Sequence, residues 1–294
     1  MSRKNNQKTL FCLLFCVILL LLLCSCGEVR EGLSPDSPSD SMPSEAPSES
    51  VTEAFGAGTE EETVMLPEYS GEHSLALPER EDERADFTVV IDAGHGQRDP
   101  GNMALDAKES DINLALSLRV CKLLSDMGYN VLLTREDDTA MLGADPQYDT
   151  DKEAEARRLW AVREGADLYI SIHCNAADDA NAKGTRLFYN NRPITSFAGR
   201  ALALCYQNSL NDEFSAEIAS GAVPAVKNNY LNGMQEDIYI VLQDVTMPAV
   251  LIEIGFMTNE KELAMLQSDD YLWEYAHALA LGTDEARKTV LTEE

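Results

Sequence analysis

The stretch Val89-Val90-Ile91-Asp92-Ala93-Gly94-His95-Gly96, which continues through Gln97-Arg98-Asp99-Pro100-Gly101, decides the fold. A β-branched apolar run ends in a Gly-His-Gly turn, and a charged loop that contains proline and glycine follows it. This pattern predicts a buried strand that delivers one side chain, His95, to the edge of a sheet. A histidine in such a position is more often structural than functional, so the rest of the chain has to decide its role.

Strands and helices alternate after this stretch. Apolar spacing predicts a helix over Glu109–Met127 that ends at Gly128, then a short strand at Asn130–Thr134. A second helix from about Asp151 to Glu164 precedes a third strand, Leu168–Ile172. Two successive strand-helix-strand units predict a single α/β domain with a largely parallel twisted sheet and helices on both faces.

The second half of the domain is predicted less completely. No element is assigned to about 211–237. The predicted elements are a strand at Thr185–Tyr189, a helix from about Phe197 to Leu210, strands near Ile238–Leu242 and at Ala249–Ile254, and helices at Glu260–Leu266 and Tyr271–Leu281.

The N-terminus has the pattern of a secretory signal. Basic residues precede an unbroken apolar run from Leu10 to Leu23. The ending Leu23-Cys24-Ser25-Cys26-Gly27 resembles a bacterial lipoprotein lipobox, which implies cleavage before Cys26 and lipidation of Cys26. An uncleaved anchor is the alternative, although the run is short for a spanning helix of about 20 residues. Both interpretations place the remainder outside the cytoplasmic membrane, and the lipid would anchor it to the outer face.

An acidic segment rich in Ser, Pro and Glu separates the signal from the domain. The stretch from Glu28 to Asp86 holds 17 acidic and 3 basic residues, and it is predicted to be a disordered tether because it has few apolar residues. The predicted division is a signal peptide at 1–26, a linker at 27–86, a folded domain at 87–283 and a short polar tail at 284–294. The net charge of -28 argues against a nucleic-acid partner, whose phosphates would be repelled.

A second histidine repeats the pattern of the first. His173 follows the apolar run Leu168–Ile172, and the carboxyl ends of parallel strands meet at one edge of a sheet. Two histidines at one edge favour a shared metal ion, since neutral imidazole is a common zinc ligand. Cys174 comes next, but strand alternation turns it to the opposite face, so it is not counted as a ligand.

Two glutamates complete the candidate site. Glu109 opens the first helix where the chain returns to the same edge, although an acidic residue there is also explained by the helix dipole. Glu253 is the single charged residue in an apolar strand, and its burial requires a cation, a strong hydrogen-bond partner or a raised pKa. A buried glutamate beside a metal-bound water is a candidate general base, and a structural ion pair is the alternative.

These segments resemble the zinc-dependent N-acetylmuramoyl-L-alanine amidases of bacterial cell walls, the Amidase_3 family. The resemblance runs in order over about 87–281. It is carried by Asp92-Ala93-Gly94-His95-Gly96, Asp99-Pro100-Gly101, Lys108-Glu109, Ala166-Asp167-Leu168-Tyr169-Ile170-Ser171-Ile172-His173-Cys174-Asn175-Ala176 and Pro248-Ala249-Val250-Leu251-Ile252-Glu253-Ile254-Gly255-Phe256-Met257-Thr258-Asn259.

The resemblance implies a role for each candidate. His95, Glu109 and His173 match the family's ligands for one Zn²⁺ at the carboxyl ends of the strands, and Glu253 matches its catalytic glutamate. Two departures are modest. Gln97 stands where a second glycine often follows Gly-His-Gly, and Ala161-Val162 replaces the family's usual Ala-Asn pair.

The implied reaction is hydrolysis of the amide between N-acetylmuramic acid and L-alanine in peptidoglycan. Two alternatives stay open: a catalytically inactive protein that binds or regulates the wall on the same scaffold, and a zinc peptidase that cuts within the stem peptide. The expected partners are peptidoglycan and, through the lipid, the membrane. The sequence identifies no activating protein and no substrate-binding residues.

Overall fold

The fold is described from a computed structural model. The description covers residues 65–71, 74–143, 147–189, 196–230 and 239–290. The predicted signal segment, its Cys26 and the predicted linker as far as residue 64 lie outside the described residues.

Strands and helices alternate along the domain. Two short 3₁₀ turns, at Asp82–Asp86 and Ile240–Leu242, accompany them. In chain order the elements are β1 (Thr88–Ala93), β2 (Met103–Ala104), β3 (Ala107–Lys108), α1 (Glu109–Met127), β4 (Asn130–Leu133), α2 (Thr150–Arg163), β5 (Leu168–Asn175), β6 (Arg186–Tyr189), α3 (Ser196–Glu213), α4 (Ser215–Ser220), β7 (Lys227–Tyr230), β8 (Ala249–Phe256), α5 (Glu260–Leu266) and α6 (Asp269–Val290).

A six-stranded sheet lies at the centre in the order β4-β1-β5-β8-β6-β7. The four strands β4, β1, β5 and β8 are parallel, β6 runs antiparallel to β8, and β7 is parallel to β6. The predicted α/β class with a largely parallel sheet is therefore confirmed. Because β1, β5 and β8 are adjacent, their carboxyl ends meet at one edge, where ligands bind in sheets of this kind.

Alternating side chains divide the interior into two cores. Val89 and Ile91 of β1 join the larger core, which α1, α3 and α6 cover. Val90 between them joins the smaller core, which α2 and the turn Ile240–Leu242 cover. This alternation is the period of two that a strand buried on both faces requires.

The first two helices begin and end where local chemistry dictates. Gly128 ends α1 with φ 104°, a left-handed conformation that glycine adopts without steric cost, and its N–H bonds to the carbonyls of Leu124 and Ser125. The Asp149 carboxylate caps α2 by accepting the N–H groups of Asp151 and Lys152. The predicted bounds of these helices agree with the structure to within one residue.

The strand predicted near Ile238–Leu242 is wrong where the structure describes it. Residues Ile240–Leu242 form a 3₁₀ turn instead. Val241 and Leu242 bury their side chains in the smaller core, and both neighbours of β8 are already present in β5 and β6. An apolar run reports burial alone, so it does not distinguish a strand from a buried turn. In the unassigned stretch after Leu210 the structure adds α4 and β7.

The predicted linker extends too far. Residues 65–71 and 74–86, here called the N-terminal strap, pack on the domain. Leu66, Leu75 and Leu77 lie against the larger core, and Trp273 of α6 donates its indole N–H to the Pro67 carbonyl over 2.7 Å. The sparse apolar residues of the strap cover an existing surface, which average composition does not reveal. The disordered assignment for 65–71 and 74–86 is therefore wrong.

The C-terminal boundary of the domain also lies further along the chain than predicted. Arg84 of the strap is completely buried and pairs with Asp284 of α6 over 3.0 Å. Ala286 is fully buried as well, and α6 continues to Val290, so residues 284–290 belong to the domain instead of a polar tail. Among the described helices, none is both long and apolar enough to cross a membrane.

Candidate metal centre and active site

A tight loop after β1 presents His95. Its φ is 64° and that of Gly96 is 137°, so the chain turns back sharply at the strand end. Two backbone hydrogen bonds between Gly96 and Asp99, of 2.8 and 3.0 Å, close the loop. The Asp99 carboxylate thereby lies beside the ring, and His95 Nδ1 donates to Asp99 Oδ2 over 2.7 Å. This bond leaves Nε2 of His95 to face the centre of the site.

His173 lies near the carboxyl end of β5, directly beside Glu253 of β8. The parallel register pairs the two residues across β5 and β8, so their side chains lie on the same face of the sheet. The His173 ring meets the His95 ring edge to face, with centroids 4.8 Å apart. Gly94 makes this approach possible, because a Cβ there would overlap the His173 ring.

Glu109 is the first residue of α1 and is 1% exposed. Asn102 clamps it: the Asn102 N–H and amide group donate to Glu109 Oε2 over 2.8 and 2.7 Å, and the Glu109 N–H donates to the Asn102 carbonyl over 2.9 Å. The other oxygen, Oε1, accepts the Cys174 N–H over 3.0 Å and faces both histidines. A Cβ on Gly101 would lie 2.7 Å from Glu109 Oε2 and from His95 Cδ2, so glycine is needed there too.

Three ligand atoms converge as a result. His95 Nε2 and His173 Nδ1 each lie 3.1 Å from Glu109 Oε1, and the two nitrogens are 3.2 Å apart. Among the described residues this is the one group of three or more His, Cys, Asp or Glu side chains that could hold a metal ion. Tetrahedral zinc with ligands at about 2.0–2.1 Å separates neighbouring ligand atoms by roughly 3.3 Å, so the donor set and its spacing fit that ion.

Burial, hydrogen bonds and neighbouring charges shift the pKa values of these three groups. Burial opposes the charged His95 ring, but its hydrogen bonds to Asp99 and Glu109 outweigh that effect and raise the His95 pKa to about 9. Burial lowers the pKa of His173, with the neighbouring His95 acting in the same direction. Burial would raise the pKa of Glu109, but hydrogen bonds from His173 and His95 hold it well below its usual range. The Glu109 carboxylate therefore stays negatively charged between the two imidazole rings.

Glu253 of β8 stands next to this cluster, beside His173 of β5. Its Oε2 is buried and accepts no hydrogen bond within the described part of the chain. Burial, with the Glu109 charge adding to it, raises the Glu253 pKa to about 8. A carboxyl group with a pKa near neutrality beside a reaction centre can take up and release a proton.

The Cys174 side chain points away from the candidate ligands, as expected, although its backbone N–H bonds to Glu109 Oε1. It is 2% exposed and belongs to the larger core on the opposite face from His173. Its thiol donates to Asn113 Oδ1 over 3.5 Å, and Asn113 in turn donates to the Gly94 carbonyl over 3.1 Å. Cys174 therefore supports the loop that carries His95 and supplies no ligand.

The positioning residues Asp99, Asn102 and Asn113 were missed at the sequence level. Asp99 could have been found, because it stands four residues after His95 in a turn that glycines make tight. Asn102 and Asn113 carry no such signal, since their contacts with Glu109 and Gly94 depend on how α1 packs against the loop.

A buried ionic network under the site was also missed. Asp92 is completely buried and accepts hydrogen bonds from Ser171 over 2.7 Å and Thr134 over 2.9 Å. Arg157 of α2 places its Nε 2.8 Å from Asp92 Oδ1, and that charge holds the Asp92 pKa low although burial opposes it. The network ties β1, β5 and α2 together at the Asp92–Ser171 pair, two residues before His173 along β5.

The structure accommodates both departures from the family pattern, Gln97 and Ala161-Val162. Gln97 adopts φ 52°, which is favourable for glycine, and its N–H donates to Asp138 over 2.7 Å. Ala161 is completely buried in the smaller core, whereas Val162 is only partly buried. Neither position removes a candidate ligand.

Comparisons with known proteins identify the family. The model of the N-acetylmuramoyl-L-alanine amidase family Amidase_3 matches residues 89–285. The germination-specific N-acetylmuramoyl-L-alanine amidase of Bacillus subtilis is 29% identical over 197 residues, which cover 66% of this chain and 77% of that protein. An uncharacterized Bacillus subtilis protein, YqiI, is 31% identical over 67% of this chain and 83% of its own length.

Solved structures resemble the fold. The CwlD amidase of Clostridioides difficile, determined in complex with the GerS lipoprotein, superposes with a TM-score of 0.58 at 30% identity, covering 69% of this chain and 98% of that one. The catalytic domain of CwlV from Bacillus (Paenibacillus) polymyxa var. colistinus gives 0.52 at 31% identity over 68% and 97%.

Fold and site define a class of α/β protein that carries a His-Glu-His cluster at the carboxyl ends of its central strands. Within that class the chain belongs to the Amidase_3 family and is an N-acetylmuramoyl-L-alanine amidase, a hydrolase that acts on peptidoglycan.

Proposed function

We propose that this amidase depends on one Zn²⁺ held by His95, Glu109 and His173. The observation that carries the proposal is the triangle of ligand atoms, whose sides measure 3.1, 3.1 and 3.2 Å. Two nitrogens and one carboxylate oxygen are the ligands that zinc takes in catalytic sites, and three protein ligands leave a position open. Asp99 orients His95 and Asn102 orients Glu109, as outer residues do around bound metals.

The chain's own residues supply the proton transfers. Zinc, when bound, contributes Lewis-acid activation of water and of the scissile carbonyl. Glu253, whose Oε2 has no hydrogen-bond partner among the described residues, takes the proton from the attacking water and afterwards delivers it to the leaving nitrogen of L-alanine. The enclosure that raises the Glu253 pKa also makes the protonated form accessible for that second step.

The proposed site of action is the outer face of the cytoplasmic membrane. The basic and apolar N-terminal pattern and the lipobox-like Leu23-Cys24-Ser25-Cys26 support lipidation at Cys26. Because the N-terminal strap belongs to the domain, residues 27–64 are left as the predicted tether. Metabolic labelling with a lipid precursor tests the anchor, and a Cys26→Ala chain that still takes up label would refute it.

Digestion of peptidoglycan separates the three candidate activities. The full chain, purified in detergent, is incubated with peptidoglycan in zinc-containing buffer or with a chelator, and the new ends are identified. Free muramoyl lactyl groups together with new L-alanine amino termini, lost on chelation, support the proposal. Other new amino termini would indicate a peptidase that cuts within the stem peptide, and binding without cleavage would indicate an inactive wall-binding protein.

A matched pair of variants tests the role of Glu253. Glu253→Gln should retain zinc and lose turnover by about 10²–10⁴-fold, the usual contribution of a general acid-base group. Glu260→Gln makes the same chemical change at an exposed position on α5 and should leave the rate unchanged. Retained turnover in Glu253→Gln would contradict the assigned role.

A further inference from the structure

One row of side chains crosses the sheet at the site. His173 of β5 pairs with Glu253 of β8, and Glu253 pairs with Arg186 of β6. Residues in register point to the same face, and neighbouring strands lie about 4.8 Å apart. Arg186 therefore continues the row on the far side of Glu253 from the candidate ligands.

Arg186 keeps its positive charge available. It is partly exposed, and no ion pair joins its guanidinium to a carboxylate of the described residues, although its charge helps to lower the pKa of the nearby Glu262, which burial raises. Within the described part of the chain the Arg186 side chain makes a single long hydrogen bond, from Nη1 to the Thr185 carbonyl at 3.5 Å. The guanidinium carbon lies 5.5 Å from the Phe256 ring centroid, a cation–π distance that holds the group in place.

The nearby Glu262 carboxylate is already committed to the backbone. Its Oε1 accepts the Gly184 N–H over 2.6 Å, and its Oε2 accepts the Phe256 N–H over 2.7 Å. These bonds fix the start of β6 and the end of β8. Glu262 is thus a structural group, and the guanidinium of Arg186 retains donors for a ligand that arrives from solvent.

The proposed reaction determines how the substrate is oriented along this row of side chains. Glu253 delivers its proton to the leaving nitrogen, so that nitrogen lies on the Glu253 side of the metal position and the lactyl carbonyl on the other side. The peptide that continues from the nitrogen extends toward β6. Arg186 stands about 10 Å from His173 in the sheet, a distance that two to three extended residues span.

We infer that Arg186 binds a carboxylate of the stem peptide and makes the enzyme prefer acidic stems. This inference rests on the proposed amidase reaction. The D-glutamate that follows L-alanine presents its α-carboxyl group either free or amidated, and a guanidinium distinguishes the two because only the free carboxylate accepts charge-assisted bonds.

Paired muramoyl peptides test the inference. The full chain, purified in detergent and loaded with zinc, is given N-acetylmuramoyl-L-Ala-D-Glu-L-Lys or its D-isoglutamine counterpart, and kcat/KM is measured for each at constant ionic strength. The native chain should favour the carboxylate substrate by about tenfold, the effect of one charged hydrogen-bonded pair that water partly screens. Arg186→Gln should reduce this ratio to about one by slowing only the carboxylate substrate, and Arg186→Lys should retain part of it.

Two controls separate the possible outcomes. Arg200→Gln removes the same charge at an exposed position on α3 and should keep the native ratio. An unchanged ratio in Arg186→Gln, with both substrates still cleaved, would overturn the inference and leave the proposed function intact. Failure of the native chain to cleave either peptide at the L-alanine amide would overturn the proposed function and the inference together. Equal loss on both substrates in Arg186→Gln would show a structural role and would also overturn the inference.

Discussion

Replacing Asp99 by Asn should weaken zinc binding without removing a ligand. His95 Nδ1 donates to Asp99 Oδ2 over 2.7 Å, and Asp99 Oδ1 also accepts the Gly101 N–H over 3.1 Å. The asparagine keeps the size of the side chain but loses the negative charge that fixes the ring and increases its basicity. Loss of such an outer carboxylate costs about 10- to 100-fold in metal affinity, or about 1.4–2.7 kcal/mol.

The assay is a competition titration of the full chain against a chromophoric chelator. Asp99→Asn should bind zinc about 10- to 100-fold more weakly than the native chain, and the rate at saturating zinc should fall less than the affinity does. Asp106→Asn removes the same charge from an exposed position between β2 and β3 and should leave the affinity unchanged. Native affinity in Asp99→Asn would refute the claim that Asp99 holds a metal-binding histidine.

Three further changes have defined outcomes. Gly94→Ala should abolish zinc binding in the same titration, because its Cβ would displace the His173 ring, and native binding would contradict the geometry. A chain that lacks the N-terminal strap should melt roughly 10 °C lower by calorimetry, since the deletion exposes Trp273 and apolar surface; an unchanged Tm would refute the packing. The two ring nitrogens of His277 face two acceptors, Glu213 Oε2 at 2.9 Å and the Ala76 carbonyl at 3.1 Å. Both hydrogen bonds can form only when the ring is protonated. Burial opposes the charged ring, but these bonds outweigh it and raise the pKa of His277. These bonds therefore stabilise the fold by about 1 kcal/mol below about pH 6.5, and this stabilisation disappears as the pH rises through the folded-state pKa of His277. His277→Gln should remove this pH dependence from the stability measured by thermal melts. A pH dependence unchanged from that of the native chain would contradict the assignment.

Periodic patterns in the sequence predicted the sheet that carries the site. The alternation around β1, β5 and β8 is set by burial on both faces, which is local information. The bounds of α1 and α2 followed from Gly128 and from helical spacing for the same reason. The turn at Ile240–Leu242 did not follow, because only the finished sheet shows that β8 already has two neighbours.

The order of the N-terminal strap depends on long-range contacts, which amino-acid composition does not reveal. Residues 65–71 and 74–86 contain too few apolar groups to fold alone, yet they complete a surface that α6 leaves open. Their order comes from long-range contacts such as the Arg84–Asp284 pair, and these depend on the tertiary structure.

The candidate site was likewise predicted only in part from the sequence. His95, His173 and Glu253 were recognisable because each is a polar residue at the end of, or within, an apolar strand. Their mutual distances and the outer groups Asn102 and Asp92 were not, since these depend on loop conformation and on register between strands. The same register brings Arg186 beside Glu253, although β6 precedes β8 by about sixty residues in the chain.

A zinc titration of the metal-free full chain tests the central claim most directly. Bound zinc and the rate at which new L-alanine amino termini appear in peptidoglycan are measured together at each addition. Both should rise in parallel and level off at one zinc ion per chain, and both should be lost in His173→Ala. Cleavage by the metal-free chain, or a rate that keeps its native value when His173 is replaced, would contradict the assignment of His95, Glu109 and His173 as the catalytic zinc site.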